Sequence, residues 1–124
     1  MLRIGCPMAS DLRILLVEDD VLIGMMLVDM FDALDLPEPA QATSNEEALA
    51  LIAAGPLAGA LVDINLGDEK GWPVADALAE RGIPFAFTSG GGDVIPPAHA
   101  HRKLITKPFR ISDIEAALEE FSME

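Results

Sequence analysis

Two stretches decide how this chain is read: RILLVEDD, from Arg13 to Asp20, and GALVD, from Gly59 to Asp63. Each is an unbroken apolar run that stops on acid. A strand with no polar–apolar alternation is covered on both faces, as in a parallel sheet with helices above and below it. Outward from the first stretch, Ile23, Leu27, Met30 and Leu34 recur at helical spacing and mark an amphipathic helix. Pro37 and Pro39 close it and lead into a weak strand near 40–43. Ser44-Asn-Glu-Glu47 is a capping box that opens a second helix, and Gly55-Pro56 stops it.

Beyond Asp63 a loop is expected over 64–71, with Pro73 in the first turn of a third helix that Gly82 ends. IPFAFT, from Ile83 to Thr88, is the next strand, and Gly90, Gly91 and Gly92 form a flexible turn. Pro96-Pro97 argues against a long helix in the stretch that follows. A short strand over 103–105 precedes a second capping box, Ser112-Asp-Ile-Glu115, and Ile114, Leu118 and Phe121 stripe the last helix. A strand–helix unit repeated in this way implies an α/β fold with helices on both faces of a parallel sheet. The expected form is flavodoxin-like, a doubly wound (βα)5 sheet with its five parallel strands in order 2-1-3-4-5. Such sheets bind ligands beyond the carboxyl ends of the strands, at the switch point between the first and third.

The chain has 124 residues, enough for one core, and its 51% hydrophobic content is that of an ordinary globular domain. Eight Lys and Arg stand against 21 Asp and Glu, a formal charge of −13. Nucleic acid and anionic lipid both require a basic face, so neither is an expected partner. No apolar run approaches the roughly 18–20 residues that span a bilayer. The single cysteine, Cys6, rules out an intrachain disulfide framework. With no secretory signal evident at the N-terminus, the expected location is the cytoplasm. Residues 1–10 read as an extension and 11–124 as the domain.

The first strand ends in Glu18-Asp19-Asp20 and the third in Asp63, so in this fold these acids converge. Carboxylates brought together repel unless a cation joins them. Mg²⁺ suits such a group, because it takes oxygen ligands and keeps positions for water and phosphate. Asp20 is better placed to cap the first helix. Asp63 can serve as a nucleophile toward a phosphoryl group, forming an acyl phosphate. Lys107, after the last strand, can pair with the phosphate. Thr88 and Ser89 are both candidates for a hydroxyl at the end of strand four, though alternation along a strand keeps both from one phosphate.

Glu18-Asp19, Asp63, Thr88-Ser89 and Lys107-Pro108 together resemble the receiver domain of the response regulators of bacterial two-component systems, over roughly residues 11–123. The resemblance implies that Asp63 is phosphorylated by a histidine kinase or a phosphotransfer protein. It implies Mg²⁺ held by Asp19 directly, by Glu18 through water, by Asp63 and by the backbone carbonyl of Asn65. Lys107 would contact the phosphate, and the peptide before Pro108 would be cis. Counted from Pro84, the family's hydroxyl falls on Ser89 rather than Thr88. The family's switch aromatic falls on Leu104, a departure that puts the usual aromatic switch in doubt. Pro84-Phe-Ala-Phe-Thr-Ser-Gly90 is similar to the segment of FAT-GUY receivers, stand-alone proteins linked to HWE-type kinases. With no output domain expected after the last helix, the chain would act on a downstream protein by binding it, or drain phosphate from a kinase.

Two other classes stay open. One is a pseudo-receiver that binds partners without phosphorylation. The other is a Mg²⁺-dependent aspartyl-phosphate phosphohydrolase, disfavoured because Asn65 stands where those enzymes carry a second aspartate. His99 and His101 are expected on the surface, Met25, Met26 and Met30 in the core, and Trp72 in packing at the start of the third helix.

Overall fold

The computed structural model describes residues 13–121; the expected extension at 1–10, Cys6 within it, lies outside the described residues. In chain order the elements are β1 (Ile14–Val17), α1 (Val21–Ala33), β2 (Ala40–Ala42), α2 (Asn45–Ala54), β3 (Gly59–Asp63), β4 (Asn65–Leu66), β5 (Glu69–Lys70), α3 (Trp72–Glu80), β6 (Phe85–Ser89), β7 (Leu104–Thr106) and α4 (Ile111–Phe121). Five of the strands form one sheet in the order β2-β1-β3-β6-β7, every neighbouring pair parallel. Counted along the main sheet this is the expected flavodoxin-like order, 2-1-3-4-5.

Alternation along buried strands feeds two cores. Leu15, Val17, Ala60, Val62, Phe85 and Phe87 face one side, against Ile52 of α2 and Val74 and Leu78 of α3. Ile14, Leu16, Leu61, Ala86 and Ile105 face the other, against Leu27 and Phe31 of α1 and Ile114, Ala117 and Phe121 of α4. Neither face of the sheet is left to water, which is why the strands read as continuous apolar runs.

The second core is tight at the start of β3. A Cβ on Gly59 would collide with the Phe121 ring, standing 2.9 Å from its Cε2. Gly59→Ala is therefore expected to destabilise the fold by about 1–3 kcal/mol through overpacking. Urea denaturation measures it, and an unchanged midpoint would contradict this packing.

Several details depart from the sequence reading. The loop over 64–71 contains a small antiparallel hairpin, β4 with β5. The fourth repeat is incomplete, because between β6 and β7 the chain makes a single 3-10 turn, Pro97–His99, instead of an α-helix. Pro96 and Pro97 supply no N–H for helical bonds there. The buried stripe of α1 is Gly24, Leu27 and Phe31, while Met25 and Met26 are exposed. Leu34 caps the helix, and Asp35 turns the chain with φ of +59° before the prolines. The last helix begins before Ser112, and its cap is made by Asp113, whose carboxylate accepts the Arg110 N–H at 2.8 Å.

Candidate functional site

β1 delivers Glu18, Asp19 and Asp20 to the carboxyl edge of the sheet, where each takes a different task. The Asp20 carboxylate accepts from the N–H groups of Leu22 and Ile23 at 2.9 and 3.2 Å and caps α1. Its own N–H donates to Glu18 Oε2 at 3.1 Å, which folds Glu18 inward until it is buried. Asp19 stays exposed at the mouth.

β3 lies beside β1 and ends on Asp63, which is 3% exposed. Asp63 Oδ1 accepts the Asn65 N–H at 3.1 Å, and Oδ2 accepts from Lys107 Nζ at 3.0 Å. Lys107 follows β7, and its N–H donates to the Ser89 carbonyl at 2.7 Å. The Lys107-Pro108 peptide is cis. Lys107 Nζ also stands 3.2 Å from Glu18 Oε1, an ion pair without hydrogen-bond geometry, so that buried oxygen has no hydrogen-bond partner.

One oxygen from each of Glu18, Asp19 and Asp63 lies within 4.8 Å of the others. Two ionised carboxylates at such a spacing repel by about 3–4 kcal/mol at an effective dielectric of about 20. Lys107 is the ammonium that pairs with Glu18 and Asp63, and against three acids it leaves two negative charges unbalanced. Burial, aided by the neighbouring Asp63 carboxylate, pushes the Glu18 carboxyl up to about 7. Burial pulls Lys107 the other way, but its hydrogen bond to Asp63 and the two acids' charges outweigh this and hold its pKa above the usual lysine value. A hard divalent cation fits the set: three oxygen donors, an excess of two negative charges when all three acids are ionised, and a buried oxygen of Glu18 in need of a partner.

Thr88 and Ser89 close β6, and both are buried. Thr88 is the register partner of Asp63 across the β3–β6 pair. The Ser89 hydroxyl is drawn into a second group of side chains. It donates to Asp93 Oδ2 and accepts the Gly91 N–H at 2.9 Å. The Asn65 side-chain amide donates to both Asp93 oxygens at 3.1 Å, and Lys70 Nζ bonds Asn65 Oδ1 and pairs with Asp93 at 3.4 Å. The Ser89 hydroxyl, first among these donors, holds the Asp93 carboxyl below the usual carboxylate range.

Sequence reasoning missed Lys70 and Asp93. Both sit in stretches without hydrophobic periodicity, and only the three glycines before Asp93 hint that the chain folds back there. His99 is a correction of another kind: it is 3% exposed, with Nε2 2.7 Å from Asp76 Oδ1 and its ring against Phe85 and Phe87. The double proline turns it inward. His101 is exposed, as expected. Trp72 packs edge-on against Phe87, as expected. Leu104 is 43% exposed on β7.

No family model and no curated protein sequence matches the chain. Solved structures do. SdrG from Sphingomonas melonis Fr1 is 38% identical, with a TM-score of 0.80, over 94% of this chain and 99% of that one. The BeF3-activated conformation of SdrG, from Pseudomonas melonis Fr1, is 40% identical over 86% of this chain and 94% of that one, with a TM-score of 0.73. The receiver (REC) domain of the PhyR response regulator from Erythrobacter litoralis is 27% identical over 90% of each chain, with a TM-score of 0.72. The chain is a response-regulator receiver domain. A more distant receiver, that of a Pseudomonas aeruginosa sensor histidine kinase, shares the fold at 15% identity and a TM-score of 0.76, over 91% of this chain and 98% of that one. That domain has a magnesium ion coordinated in its active-site cleft. In this receiver the acids of β1 and β3 meet the lysine after β7 at the switch point of the sheet.

Proposed function

We propose that this receiver is a Mg²⁺-dependent phosphorylation switch that accepts a phosphoryl group on Asp63. The observation that carries the reading is Asp63 itself: a buried carboxylate hydrogen-bonded by Lys107 and grouped with two further acids. Glu18, Asp19, Asp63 and the Asn65 carbonyl would hold the ion. Bound there, Mg²⁺ neutralises the charge spread over the phosphoryl oxygens. An oxygen of Asp63 attacks phosphorus, and the P–N bond of a phosphohistidine breaks, leaving an acyl phosphate and a free imidazole. Lys107 already bonds that carboxylate and pairs with the transferred phosphate as a point charge. Ser89, with Thr88 as the alternative, supplies the hydroxyl that senses the product.

The donor in this reading is a sensor histidine kinase or a phosphotransfer protein in the bacterial cytoplasm, and the output is altered binding of a downstream protein. Likeness to SdrG, the Pro84–Gly90 segment and a leucine at 104 support a FAT-GUY-type receiver served by an HWE-type kinase. No helix among the described residues is long and apolar enough to cross a membrane.

Acetyl phosphate labelling followed by intact-mass measurement tests the reading. The expected result is one phosphate per chain with Mg²⁺ and none with excess chelator. Continuous release of phosphate without a labelled chain would favour a phosphohydrolase. No label under any condition would favour a pseudo-receiver.

A further inference from the structure

The turn after β6 holds a carboxylate where a switch of this kind needs an anion. Gly91 and Gly92, with φ of +111° and +79°, fold the chain back so that Asp93 reaches Ser89. Its carboxylate then takes donors from three separate elements: the hydroxyl ending β6, the Asn65 amide of β4 and the Lys70 ammonium of β5. This is the donor set that an anion with several oxygens would seek, and the side chain is only 13% exposed. Asn65 ties this carboxylate to the phosphoacceptor, since its N–H bonds Asp63 while its side chain bonds Asp93.

We propose that Asp93 is an internal stand-in for the phosphoryl group, occupying the Ser89, Asn65 and Lys70 donors until phosphorylation of Asp63 expels it. The proposal rests on Asp63 being the acceptor. A phosphoryl group there brings on the order of two negative charges and three acceptor oxygens, by analogy with other phosphorylated side chains. It repels Asp93 and offers the same donors a stronger partner. Once released, Asp93 no longer pins the glycine turn. Gly90 and Gly91 are exposed, and a Cβ on either would meet nothing within 4 Å, so the turn has room to swing. The chain beyond remains anchored where His99 meets Asp76, so the movement is confined to residues 90–98. Phosphorylation is thereby converted into a change at an exposed edge that includes Val94, which is 87% exposed.

A competing internal anion reduces apparent affinity to the intrinsic value multiplied by the fraction of molecules in which it is out of place. The test is a titration of the full chain with beryllofluoride and Mg²⁺, followed by amide NMR, in the wild type, Asp93→Ala and Asp93→Asn. Asp93→Ala is expected to bind beryllofluoride about ten-fold more tightly, the scale of a charged hydrogen-bond set. Asp93→Asn, which keeps the shape without the charge, is expected to fall between the two. The Gly91 amide of free Asp93→Ala is expected to resonate close to its position in the beryllofluoride-bound wild type. Equal or weaker binding by Asp93→Ala overturns the stand-in role while leaving Asp63 as acceptor. Failure of all three proteins to bind beryllofluoride removes the acceptor reading, and this inference with it.

Discussion

Asp63→Asn is expected to abolish phosphorylation completely while leaving the fold intact. Amide and carboxylate have almost the same shape, and the side-chain carbonyl of the variant can still accept from Lys107, which now bonds Asp63 Oδ2 at 3.0 Å. The substitution also removes one of three acids that crowd within 4.8 Å of one another. Repulsion of about 3–4 kcal/mol from Asp19, and from Glu18 when it is ionised, is relieved at the expense of the Lys107 attraction and the hydrogen bond from the Asn65 N–H, so little net change in stability is expected. What disappears is the nucleophile, because an amide oxygen does not form a stable phosphoryl adduct. Intact mass after acetyl phosphate treatment reads the loss, and a thermal melt without Mg²⁺ reads the fold. A variant that still takes up one phosphate would assign the acceptor to another residue.

Phe87→Ala is expected to be the most damaging single truncation of the core. The ring is wholly buried in β6, with edge contacts to Trp72 at 5.6 Å and Phe85 at 5.4 Å, and His99 at 6.0 Å. It touches α3 on one side and the returning 3-10 turn on the other, so neither neighbour can collapse into the space alone. Such a cavity costs about 3–5 kcal/mol. A large part of the total stability of a small domain would be lost, since that total is commonly about 5–15 kcal/mol. Urea denaturation measures the change, and a loss below about 1 kcal/mol would contradict the packing described for this residue.

The sheet was legible in the sequence because burial on both faces writes strands as unbroken apolar runs, and Arg13–Val17 and Gly59–Asp63 are such runs. Strand ends then located Glu18, Asp19, Asp63 and Lys107, which the fold brings together. Helix faces were less legible. Periodicity pointed to Met30 and Leu34, but α1 buries Phe31, because apolar residues all round a helix leave its rotation to be set by packing. The stretch from 90 to 103 was the least legible. Its structure rests on a glycine turn, a double proline and side-chain polar contacts that include Ser89 with Asp93 and His99 with Asp76. None of these has a period, and a histidine looks the same in sequence whether buried or exposed. The tertiary fold alone places Asp93 beside Asn65, across 28 residues of chain.

The central claim is that the phosphoryl group goes to the carboxylate shared by Lys107 and the acids of β1. Borohydride reduction of the acetyl phosphate-treated chain converts an aspartyl phosphate to homoserine, and peptide mass mapping then finds the residue. Homoserine at position 63 alone, formed only when Mg²⁺ is present, is the predicted result. Homoserine at any other aspartate, or an unmodified position 63 in a chain that carries phosphate, would contradict it.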